Sequence, residues 1–146
     1  MKLAGKAAIV TGTSPNIRGG IAEELASEGA VVVAVDANPA NAQDCAAYIE
    51  KSGGRAIAVA CDVTDEGQVA AAVGAAVAAF GKVDVLINNA AFFNKKGVID
   101  MPFEEWNRQT GVILGGAFLF TKHACKSMIE RGVRGAVINI VSTAGH

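Results

Sequence analysis

Apolar residues along this chain fall into short unbroken runs, separated by longer stretches where they recur every three or four positions. Ala7-Ala8-Ile9-Val10 is the first run. Ile21, Ala22, Leu25 and Ala26 then repeat at helical spacing and stop at Gly29, a helix C-terminal signal. Val31–Val35 is apolar throughout, as expected for a strand covered on both faces. After Pro39 the spacing predicts a second helix over roughly Asn41–Ser52, ending at Gly53-Gly54, and then a third strand at Ile57–Ala60. Val69, Val73 and Val77 with Ala72, Ala76 and Phe80 mark a third helix, stopped by Gly81, before a fourth strand at Val83–Ile87. A loop leads to one long helix from about Phe103 to Arg131, with Pro102, Glu104 and Glu105 suiting its start and Lys126, Arg131 and Gly132 its end. Ala136–Val141 reads as a fifth strand.

Strand and helix patterns that alternate in this way predict a doubly wound, parallel α/β sheet with right-handed crossovers. No linker, repeat or low-complexity run divides the chain, so 1–146 is read as a single Rossmann-type domain. Asp36 is the most informative position. It closes the second strand 24 residues after Gly12, which follows the first. A strand, glycine turn, helix, strand and acid form a unit that binds a dinucleotide. The helix N-terminus attracts the pyrophosphate and the carboxylate accepts from the adenosine ribose hydroxyls. The other reading of Asp36 is a carboxylate that only solubilises a strand end.

Composition narrows the classes. With 146 residues, 51% hydrophobic and 5% aromatic, the core is built from Ala, Val and Ile. A net charge of −1, with no basic cluster larger than Lys95-Lys96, argues against nucleic acid or a membrane surface as partner. Cys45, Cys61 and Cys125 are odd in number and scattered, which suggests neither a disulfide framework nor a metal site. The uncharged stretch Gln109–Thr121 is too short to span a bilayer, and the first residues lack the apolar core of a signal peptide. A cytoplasmic location is expected.

Four stretches identify a family: Thr11-Gly12-Thr13-Ser14-Pro15-Asn16-Ile17-Arg18-Gly19-Gly20-Ile21-Ala22, Asp62-Val63, Asn88-Asn89-Ala90-Ala91, and Val137-Ile138-Asn139-Ile140-Val141-Ser142. In this order and spacing they resemble the short-chain dehydrogenase/reductase family over essentially the whole chain. The resemblance implies that Gly12, Ser14, Asn16 and Ile17 meet the phosphates and ribose, and that Asp62 and Val63 flank the adenine. It places Asn89 and Ala90 on the nicotinamide side and makes Ser142 the catalytic serine, hydrogen-bonded to the oxygen of an alcohol or ketone substrate. It also implies homo-oligomers formed through the helix around 103–131. Plain structural roles stand beside these: a helix-capping turn at Asp62–Asp65, and a brace between strands at Asn89. The carboxylate at Asp36, with Pro15 and Ala37 where cofactor-phosphate binders carry a basic residue, makes NAD the expected cofactor.

The chain departs from the family pattern at four points. Asn16 and Arg18 stand where the family has its second and third loop glycines; Asn tolerates the left-handed backbone, and Arg18 either approaches the pyrophosphate or is merely solvated. Ile113 stands where the long helix carries the family's asparagine. The family's Tyr-x-x-x-Lys follows its serine by about 13 residues, a position the sequence does not reach, and the single tyrosine, Tyr48, lies in the second helix. The stretch is therefore expected to lack the family's C-terminal strands and helices and to be inactive by itself. Two functions remain open: an NAD-dependent oxidoreductase acting on a secondary alcohol or ketone, and a non-catalytic dinucleotide-binding module serving as sensor or scaffold.

Overall fold

The computed structural model describes residues 1–15 and 17–142. Its sheet has five parallel strands: β1 (Ala7–Thr11), β2 (Val31–Asp36), β3 (Arg55–Ala60), β4 (Val85–Asn88) and β5 (Ala136–Asn139), in the order β3-β2-β1-β4-β5. β1 is central and buried at every position, because it pairs on both edges and is covered on both faces. Ile9 lies opposite Val33 on one side and Leu86 on the other.

The helices divide between the two faces. α1 (Ile17–Ser27) and α2 (Pro39–Lys51) cover one, where Ala22, Ala26, Cys45 and Ile49 pack on Val10, Val32 and Ile87. α3 (Glu66–Phe80) and α5 (Gly116–Glu130) cover the other, where Val69, Val73, Phe120 and Met128 close on Ile9, Val33 and Leu86. α2 starts at Pro39 rather than Asn41 because Asn38 caps it, its Oδ1 accepting from the Ala40 N–H at 3.0 Å. α3 is capped by Asp65, whose Oδ1 accepts from the Gln68 N–H at 3.0 Å.

The long helix is not regular. α4 (Phe103–Thr110) runs into a π turn at Gly111–Gly115, and α5 then continues to Glu130. The Gly116 N–H bonds the Gly111 carbonyl, five residues back. β5 is also shorter than its apolar run, ending at Asn139, and it forms one edge of the described sheet, with β3 at the other.

At the opposite end from the glycine turn, Asp84 ties β1 to β4. Its Oδ2 accepts from the Ala7 N–H at 3.0 Å, and it pairs with Lys6 and Lys82, each at 3.1 Å. Burial pushes the Asp84 carboxyl up, but the Ala7 N–H and the two ammonium groups outweigh it and hold the group below its ordinary value.

Candidate functional site

Strand order reverses between β1 and β4, and the site lies at their carboxyl ends. Gly12 leaves β1 at φ +72°, and a Cβ there would sit 2.8 Å from the Ala90 Cα. Only glycine lets the turn and the segment after β4 approach this closely.

Thr11 and Asn89 lock the approach. The N–H groups of Asn89 and Ala90 both donate to Thr11 Oγ1 at 3.0 Å. Asn89 Nδ2 donates to the Thr11 carbonyl at 3.1 Å and the Gly12 carbonyl at 2.8 Å. The Asn89 amide is thus committed to the protein, which is the bracing role, and Ala90 presents little more than backbone. Thr11 carries this network, although the family stretch that it opens gave it no role of its own.

Beyond this junction runs a first cleft of about 620 Å³, in which Gly12, Ser14, Asp36, Asp62, Val63 and Ala90 come together. Ile17 begins α1, whose first turn holds no acidic residue, so nothing there competes for the positive end of the helix dipole. Asn16 lies outside the described residues, as do the side chains of Ile17 and Arg18. Asp62 Oδ1 accepts from the N–H and hydroxyl of Thr64 at 2.9 and 2.7 Å, which is the helix-capping turn; Oδ2 carries no such bond among the described residues. Val63 is pressed by Gly116 of α5, where a Cβ would lie 2.5 Å from Val63 Cγ2.

Three groups in the cleft were not singled out by sequence. Asn41 Nδ2 donates to Asp36 Oδ1 at 3.2 Å. Arg108 stacks over the Phe92 ring at 4.2 Å from its centroid, a cation–π contact joining α4 to the loop after β4. Cys61 is buried at the floor, and burial first, then the charges of Asp62 and Asp65, raise its thiol to about 11.

A second cleft of about 880 Å³ continues from the first, sharing Ala90, Ala91 and Val112 with it. Ser142 lies there, exposed, beside Asn88, Thr121 and Asn139. Asn88 Nδ2 donates to Thr121 Oγ1 at 3.1 Å and Asn139 Oδ1 at 2.9 Å, while the buried Asn88 Oδ1 finds no partner among the described residues. Ile113 also lines this cleft. Among the described residues no Asp, Glu, His, Lys, Cys or Tyr lines it, and none of the chain's acid and thiol groups cluster as metal ligands.

The parallel sheet, its switch point and the two joined clefts define a Rossmann-type α/β protein. The short chain dehydrogenase family model matches residues 6–146. D-threitol dehydrogenase from Mycolicibacterium smegmatis is 36% identical over 98% of this chain and 55% of that protein. L-rhamnose 1-dehydrogenase (NAD(P)(+)) from Azotobacter vinelandii is 40% identical over 97% of this chain and 57% of that protein. A crystal structure of a short-chain type dehydrogenase/reductase from Mycobacterium marinum superposes with a TM-score of 0.95 at 32% identity, covering 99% of this chain and 59% of that one. The chain belongs to the short-chain dehydrogenase/reductase family and spans a little over half the length of these relatives. A nicotinamide dinucleotide, NAD or NADP, is the cofactor class of the family. The residues present fit that class: a glycine turn closed on Ala90, a helix start free of acid, and a carboxylate in the cleft. No described helix is long and apolar enough to cross a membrane.

Proposed function

We propose that the chain is the cofactor-binding portion of an NAD-dependent oxidoreductase that interconverts a secondary alcohol and a ketone. The observation that carries this reading is the continuity of the two clefts across the switch point, with Asp36 in one and Ser142 in the other. Asp36 accepts from the adenosine ribose hydroxyls, and Asp62 with Val63 flanks the adenine. The Gly12–Ser14 turn, with Asn16, Ile17 and the start of α1, receives the pyrophosphate. Asn89 and Ala90 shape the nicotinamide end. Ser142 would donate to the substrate oxygen and so orient the carbon that bears it for hydride exchange. When bound, NAD supplies the hydride acceptor.

Two further observations support parts of the reading. The names of the relatives include threitol, sorbitol and galactitol dehydrogenases, all acting on molecules rich in secondary hydroxyls. Phe103, Trp106, Leu114 and Phe118 leave an exposed apolar face on α4–α5, which suits packing against a second copy.

Calorimetric titration tests the cofactor. NAD binds more tightly than NADP, and Asp36→Ala weakens NAD and narrows the gap. Equal or reversed affinities for the unmodified chain sink the charge argument. The second reading, a dinucleotide-binding module without catalysis, is favoured by the lining of the second cleft, where Ile113 is present and no titratable side chain is found among the described residues. Assaying hydride transfer by this chain extended with a segment that carries a Tyr-x-x-x-Lys pair separates the two.

A further inference from the structure

The two carboxylate oxygens of Asp36 are in different states. Oδ1 accepts from the Asn38 N–H at 2.9 Å and from Asn41 Nδ2 at 3.2 Å. Oδ2 carries no hydrogen bond among the described residues. Asn41 occupies the third position of α2, but the helix end is already served by Asn38, whose Oδ1 caps the Ala40 N–H. The Asn41 amide is therefore not needed as a cap. It reaches back to β2 instead, and both Asn41 and Asp36 line the first cleft.

A carboxylate can turn about its terminal torsion and offer either oxygen. Donors on Oδ1 stop that rotation before any ligand arrives, so its entropy is lost on folding rather than on binding. We infer that Asn41 is a positioning residue for Asp36. By holding Oδ1 it leaves Oδ2 as the acceptor for the adenosine ribose hydroxyls, and so sets the preference for a free 2′-hydroxyl. The same bond keeps the Asn41 amide from serving a 2′-phosphate, because donating to the phosphate would mean releasing Asp36. This inference rests on the dinucleotide reading above and extends it to a residue outside the family motifs quoted for this chain.

The test is a ligand-side cycle by calorimetry, using ADP and 2′-deoxyADP, which differ only in the hydroxyl at issue. The unmodified chain binds ADP more tightly. In Asn41→Ala that preference falls by roughly three- to tenfold, the net scale of one ordinary hydrogen bond, without a comparable loss for 2′-deoxyADP. Asn41→Asp is the second variant. It keeps a short polar side chain, and its acid in the first turn of α2 favours the helix, but its carboxylate cannot donate to Oδ1, which keeps only the Asn38 N–H, so the preference falls there too. If both variants weaken the two ligands equally, Asn41 is only structural and the inference is overturned while the dinucleotide reading stands. If the unmodified chain binds ADP but does not discriminate the 2′-hydroxyl, the inference is overturned while the dinucleotide reading stands; if it binds neither ADP nor NAD, that reading fails and the inference falls with it.

Discussion

Replacing Gly12 by alanine tests the junction on which the site is built. Two penalties add. A left-handed backbone costs an L-residue about 1–2 kcal/mol, and Gly12 has φ +72°. The new methyl would lie 2.8 Å from the Ala90 Cα, 3.1 Å from its nitrogen and 3.2 Å from the Asn89 carbonyl oxygen. All three are backbone atoms, so relief requires a chain shift rather than a rotamer change, and overpacking of that kind costs about 1–3 kcal/mol. The sum is about 2–5 kcal/mol, or a fall in Tm on the order of 10 °C for a chain of this size. The shift would also strain the Thr11–Asn89 bonds, so cofactor affinity falls with stability. Gly74→Ala is the control. It lies in α3 with nothing within 4 Å of an added Cβ, and there alanine stabilises by about 0.5–1 kcal/mol. Urea denaturation of both variants decides. A Gly12→Ala protein within about 0.5 kcal/mol of the parent would show that the close approach does not constrain the turn.

Three further outcomes are expected. Asp84 has a lowered folded value, so its contribution is complete above the ordinary carboxylate range and is lost as pH falls through that lowered value. Asp84→Asn should destabilise the chain by about 1–3 kcal/mol near pH 7 and flatten the acid limb of a stability–pH curve; an unchanged limb refutes this. Burial, with lesser contributions from Glu23 and Asp36, holds the Cys45 thiol near 11, and Cys61 is raised to about 11 as well, whereas Cys125 is partly exposed. A thiol reagent at pH 8 should therefore label Cys125 first, and three equal rates would contradict the burial. Residues 1–146 by themselves should give no hydride transfer with NAD and secondary alcohols, and activity should return with a downstream segment carrying Tyr and Lys. Turnover that depends on Ser142 in the shorter chain would mean another acid replaces the tyrosine.

The strands were legible because both faces of β1 and β2 are covered, leaving apolar runs with no alternation to obscure them. Asp36 and Gly12 were legible because each closes such a run. β3 extends back to Arg55 because backbone pairing with Val31 needs no apolar side chain. β5 stops short of Val141 because pairing, not hydrophobicity, ends it, and Asn139, opposite Asn88 of β4, is its last paired residue. Asn41 was hidden for a different reason. A polar residue near a helix start reads as solvated, and only the fold shows its amide turned back to Asp36. The contact between Arg108 and Phe92 joins residues from two elements and has no local signature.

The π turn at Gly111–Gly115 has a consequence for how this chain can change in length. An α-helix advances about 100° per residue, and the turn inserts roughly one residue beyond a regular ladder. Everything after it is rotated by that angle. The rotation brings Phe120, Ala124 and Met128 onto the core while Trp106, ahead of the turn, stays exposed. Removing one residue between Val112 and Leu114 would mend the hydrogen-bond ladder and at the same time swing Phe120 off the sheet. Phase between the cleft wall and the core is thus encoded as a count of residues. A single gap here is a rotation of α5, whereas the same gap in a surface loop would only shorten it.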